Sequence, residues 1–116
     1  MIDIIVNLHF KYSGHEIIFK KIFEMPSAPF IGLGIYDSKD GYDSLIEIIN
    51  NDYKRSLIYY DINAKCYYVD IHNRYPQTVS HDTINQDLKT YDRLNWDKIK
   101  DDSDIIKKIA KERWKQ

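Results

Sequence analysis

Chemistry in this 116-residue chain would have to come from four histidines, one cysteine and fourteen aspartates. The histidines are His9, His15, His72 and His81, and no two stand at the i, i+4 spacing that lets one helix face hold zinc. Asp70 and His72 lie two residues apart, so they share a face of any strand that carries them. With His81 they are the candidates for an acid–base or metal site, provided the fold brings them together. Cys66 precedes His72 by six residues, roughly 20 Å along a strand. That separation is too long for a thiolate–imidazole pair, and the thiol reads as a small apolar filler. The sequence has no GxSxG elbow and no GxxxxGK[ST] or GxGxxG phosphate loop. These features point away from an enzyme, with no catalytic residue, metal or cofactor assigned, and towards binding.

Two surfaces are candidates. The first is a strand face carrying Leu57, Tyr59 and Tyr68, rimmed by Asp70 and His72. Tyrosine offers large contact area with a polar tip at low entropy cost, which is why it concentrates where proteins meet. This reading makes the chain a small cytoplasmic protein-binding module: an inhibitor, immunity or accessory factor of bacterial or phage type, with an unknown protein partner. The second surface is the basic end of the chain, where Lys107, Lys108, Lys111, Arg113 and Lys115 would contact nucleic acid, helped by Tyr36, Tyr59 and Tyr68 as stacking platforms. Self-association through an uncovered strand edge would give a homo-oligomer.

The elements that position these residues are legible as patterns. Ile2, Ile4, Val6, Leu8 and Phe10 alternate with mostly polar residues, a half-buried strand. Ser13-Gly14 turns the chain, and residues 16–23 return. In that register paired numbers sum to 27, setting Lys11 opposite Glu16 as a cross-strand charge pair. The register also puts Lys21 on the apolar face, where its ammonium must snorkel out. Pro26 and Pro29 break the pattern before a third strand over 30–37, whose Gly32 and Gly34 leave room for a close neighbour. Residues 43–53 fit helix or strand, and three isoleucines tilt the choice to strand.

Strands Ser56–Asp61 and Cys66–His72 form the clearest hairpin, with paired numbers summing to 127. Tyr60, Tyr67, Ile58, Val69 and Ile71 then face the core; Leu57, Tyr59, Asp61, Cys66, Tyr68, Asp70 and His72 face away. Thr78 or Ser80 caps a helix over 80–94 with an Ile84, Leu88, Tyr91 stripe. Trp96 and Ile99 fall in a connector. A second amphipathic helix over 103–115 turns Ile105, Ile106, Ile109, Ala110 and Trp114 inward, with its acidic start and basic end matched to the helix dipole. The expected architecture is one α+β domain over 1–116: an antiparallel sheet of five to six short strands over residues 2–73, then two C-terminal helices.

Composition agrees with that class. Charged residues make up 30% and the net charge is −1, which excludes a protein that coats nucleic acid by bulk charge. A lone cysteine, no basic-then-apolar leader at Met1–Asn7 and no long apolar run fit a cytoplasmic protein outside the membrane.

Overall fold

A computed structural model describes residues 1–114, with side chains through Arg113. The expectations for the Trp114 side chain and for Lys115 lie outside the described residues. The first two strands, β1 (Ile2–Tyr12) and β2 (His15–Met25), pair in the expected register, from Ile2 against Met25 to Tyr12 against His15. Ser13 and Gly14 both take positive φ in the turn between them. Strands β3 (Gly34–Lys39) and β4 (Tyr42–Glu47) form a separate two-stranded sheet. Strands β5 (Lys54–Asp61) and β6 (Cys66–Arg74) form the second long hairpin, with Tyr59 opposite Tyr68 and Ile58 opposite Val69 as expected.

Helix α1 (His81–Arg93) starts at Ser80, whose hydroxyl accepts from the Thr83 N–H. Helix α2 (Ser103–Trp114) ends the described chain. Between the helices, β7 (Asp97–Asp101) adds itself to β2. The main sheet runs β5-β6-β1-β2-β7, mostly antiparallel, with the central β6–β1 pair parallel.

Three expectations are corrected. The connector holding Ile99 is the strand β7; every one of its residues is exposed, so no apolar alternation announces it, as suits a charged edge strand. The third strand begins at Gly34 and not at Phe30: Gly32 takes φ +105° and the Leu33 N–H closes a turn onto the Phe30 carbonyl, leaving Phe30 and Ile31 exposed. Tyr60 and Ile105, both assigned inward, are 48% and 47% exposed. Tyr60 sits on the edge strand β5 and paired Tyr67 is itself only half-buried, so little packs over this end. Gly34 does serve packing: a Cβ there would meet the Leu45 side chain at 3.1 Å.

All covering elements lie on one side of the main sheet. Ile4, Val6, Leu8, Ile17, Phe19, Val69 and Ile71 project from it into a core closed by Ile84 and Leu94 near α1, Ile106 and Ala110 of α2, and Ile35 and Ile46 of the small sheet. Phe10, Phe19, Tyr91 and Trp96 form its aromatic centre, with neighbouring ring centroids 5.1 to 6.1 Å apart.

Lys21, on this apolar face, does not reach water alone. Its ammonium donates to Asp37 of β3 at 2.9 Å and to the Leu94 carbonyl at 2.7 Å. The same Asp37 oxygen accepts from the Trp96 indole at 2.9 Å. One hydrogen-bonded ion pair thus ties main sheet, small sheet and the end of α1 together. Removing one partner leaves a largely buried charge uncompensated. Lys21→Met and Asp37→Leu should each destabilise by about 3 kcal/mol, and the double variant by clearly less than the sum. Urea denaturation of the four-protein cycle measures the coupling, and strict additivity would refute it.

Candidate functional site

With helices and small sheet on one side, the other side of the five-stranded sheet carries no covering element among the described residues. The expected patch lies here. Leu57 is 58% and Tyr59 42% exposed, while Tyr68, Asp70 and His72 are half-buried in the same face. The Tyr59 and Tyr68 rings stack across the β5–β6 pair, centroids 5.1 Å apart and planes 5° apart. The parallel pairing sets Ile5 beside Tyr68, and antiparallel pairing sets Ile22 beside Ile5. The apolar patch therefore extends to Ile22, which is 59% exposed, and crosses four of the five strands, β5, β6, β1 and β2. Partial desolvation and the nearby Asp70 carboxylate push the Tyr59 phenol up, and desolvation followed by the Cys66 thiol and Asp61 does the same for Tyr68. Both therefore present neutral hydroxyls at neutral pH.

The polar rim is knit across strands. Asn7 donates to Asp70 at 2.9 Å. His9 and His72, in register on β1 and β6, stack at 4.1 Å. His9 reaches Glu16 at 3.4 Å. His72 Nδ1 is shielded from solvent and has no hydrogen-bond partner among the described residues. Desolvation, then the neighbouring His9 and Lys11, hold the His72 pKa below its ordinary value against the opposing pull of Asp70 and Glu16.

The acid–base constellation is not brought together. Asp70 is bonded to Asn7 and His72 is stacked on His9, whereas His81 opens α1 on the covered side and contacts Asn85 and Asp82. Among the described residues no three His, Cys, Asp or Glu side chains are grouped to hold a metal. Cys66 is buried. The basic residues of α2 do not form one row: Lys107 donates to Asn85 of α1, Arg113 lies over the Tyr12 ring and donates to Ser13, and Lys108 and Lys111 are exposed.

The Lys11–Glu16 charge pair is a further correction. The two residues are in register, but Glu16 is held by Lys100 of β7 at 3.3 Å and by His9. The unforeseen β7 brings a competing cation, and Lys11 makes no ion pair with a described carboxylate. Lys11 therefore joins Lys54, Arg55 and Arg74, which line a depression of about 320 Å³ at the end of the open face where β1 and β6 terminate. The sequence reading missed this cluster. The 127 register, extended one pair beyond Ser56, does set Arg55 opposite His72; placing Lys11 beside Arg74 required the β1–β6 pairing.

At the opposite end of the face stand Asp3, Glu24 and Asp61, in register near Cys66. The surface is thus graded along its strands: Asp3, Glu24 and Asp61 at one end, aromatic and aliphatic side chains in the middle, and Lys11, Arg55 and Arg74 at the other, where Glu16 is neutralised by Lys100 and His9. No family model matches the chain, and no curated protein or solved structure matches it either.

An imidazole whose folded pKa is lowered costs stability as pH falls through its unfolded value, 6.5, because the unfolded chain takes the proton first. Stability should therefore fall between about pH 7.5 and pH 5.5. Glu16, whose pKa is lowered from 4.5, loses its contribution only below that window. Urea midpoints at the two pH values for wild type and His72→Gln check this: the variant should show a smaller fall, and an equal fall would remove His72 as the cause.

Proposed function

We propose that this chain is a small protein-binding module, non-enzymatic, whose docking surface is the bare face of the five-stranded sheet. The observation that carries the reading is one-sided covering. Two helices and the small sheet crowd one face, while the other presents Leu57, Tyr59, Tyr68 and Ile22 to solvent. An aromatic centre with a hydrogen-bonded polar rim has the composition of a contact surface: anchors in the middle, fixed polar groups around them. The Tyr59–Tyr68 stack is already ordered, so little rotamer entropy is lost when a partner covers it.

The charge gradient along the strands sets the partner's chemistry. It is a protein with an apolar strip, acidic where it meets Lys11 and Arg55 and basic where it meets Asp3 and Glu24, which fixes orientation as well as attraction. An inhibitor, immunity or accessory factor in the cytoplasm is the role such a surface suits. Dispersed His and Asp side chains, each engaged by a neighbour, support binding over catalysis.

Tyr59→Ala with Tyr68→Ala should leave the fold intact, since both side chains lie outside the core, and weaken partner capture by at least 10-fold. Capture from source lysate with nuclease, quantified by mass spectrometry, tests this against a control variant, Tyr36→Ala with Leu45→Ala, on the exposed side of the small sheet. Loss in the first and retention in the second is expected. Equal retention in both would sink the assignment.

A further inference from the structure

The cationic depression is a site in its own right, separate from the tyrosine centre. Lys11, Lys54, Arg55 and Arg74 all line this depression of about 320 Å³, with Asp52 the one carboxylate among the lining residues. None of the four cations makes an ion pair with a described carboxylate, in a chain whose net charge is −1. Like charges gathered without counterions repel one another, and an anion relieves that repulsion.

The walls are preorganised. Arg74 is fixed by a 2.8 Å bond to the Asp52 carbonyl and by its guanidinium lying 5.5 Å from the Tyr53 ring centre. The Arg74 N–H bonds the Tyr53 carbonyl, and the Asn51 N–H bonds the Lys54 carbonyl. Asn50 and Asn51 side chains accept from Ser56 and Tyr53, locking the turn that carries Asp52 and Lys54. Arg74 spends one of its donors internally and keeps the rest of its fork. Arg55, in register with His72, supplies a second fork, and the two ammoniums supply unshared point charge.

We infer that this depression is an oxyanion site for a phosphate-bearing ligand. Two guanidinium forks and two ammoniums around a volume at the small end of ligand pockets suit the several oxygens and multiple charge of a phosphate group. The phosphate comes either as a small phosphorylated molecule or as the backbone of a single nucleic-acid strand, whose bases would run onto the Tyr59–Tyr68 stack.

The test uses the full chain and two probes, inorganic tripolyphosphate and a 5′-phosphorylated oligothymidylate, titrated calorimetrically at low ionic strength. The site variant is Lys11→Ser with Arg55→Ser, both exposed and with side chains that make no hydrogen bond or ion pair to another described residue. The control is Lys108→Ser with Lys111→Ser, which removes equal charge from α2. At least one probe should bind wild type and control alike and the site variant at least 10-fold more weakly. Oligothymidylate binding at least 10-fold tighter than tripolyphosphate identifies a nucleic-acid strand; comparable affinities identify a small phosphorylated ligand. Equal weakening in site variant and control would reduce the effect to bulk charge and overturn the site. Failure of both probes to bind wild type would overturn it too, and so would equal binding of citrate. The tripolyphosphate arm is independent of the tyrosine face: Tyr59→Ala with Tyr68→Ala should leave tripolyphosphate binding unchanged, so failure of this site and failure of tyrosine-centred docking are distinguishable.

Discussion

The fold depends on one ammonium being accepted inside an apolar face. Lys21 is in strict alternation with Ile17 and Phe19, so its side chain must point where the core is. Burying a lysine there without a partner would expel whatever covers it. Asp37 and the Leu94 carbonyl supply the partner, and Trp96 completes the coordination of Asp37. The small sheet therefore cannot drift from the main sheet without stranding a charge, nor can the end of α1. The positions of the small sheet and of the end of α1 follow from satisfying that group, while α2 is held by its own apolar contacts through Ile106 and Ala110.

Concentrating all covering elements on one face has a direct result on the other. With 116 residues there is one core, and the chain devotes its helices and its small two-stranded sheet to covering it. The remaining face is knit by cross-strand contacts between side chains: Tyr59 on Tyr68, His9 on His72, Asn7 with Asp70, Glu16 with Lys100. Such a face is ordered before anything binds it. Its charges are sorted by strand end, because strands that begin or end together carry their terminal residues to the same edge.

Much of this was legible. Alternation fixed both long hairpins to the residue, because turn and apolar pattern allow one register each. The helices and the Ser80 cap were legible for the same reason, local signals agreeing with burial. The hairpin's share of the open face, Leu57, Tyr59, Tyr68, Asp70 and His72, was legible as one set; that this face stays uncovered and continues through Ile5 to Ile22 was not. What failed was non-local or unpatterned. The residues of β7, Asp-Lys-Ile-Lys-Asp, carry no burial signal, so neither the strand nor its claim on Glu16 was visible. The β1–β6 pairing joins segments more than 60 residues apart, and nothing within either strand names its neighbour. The cationic depression inherits that blindness, since Lys11 and Arg74 meet only through this pairing.

That same parallel pairing orders events in time. Strand β1 has a partner on each side: β2, reached through a two-residue turn, and β6, reached after four intervening strands. The first contact closes within a hairpin, while the second must wait for a long loop to close. During synthesis or refolding, one edge of β1 therefore stands unpaired, an alternating apolar ribbon with open backbone donors and acceptors. The native sheet is completed when the β5–β6 hairpin docks as a unit against that edge. Any other extended strand that arrives first competes for the same place, so the centre of the finished sheet is the vulnerable margin of the unfinished one.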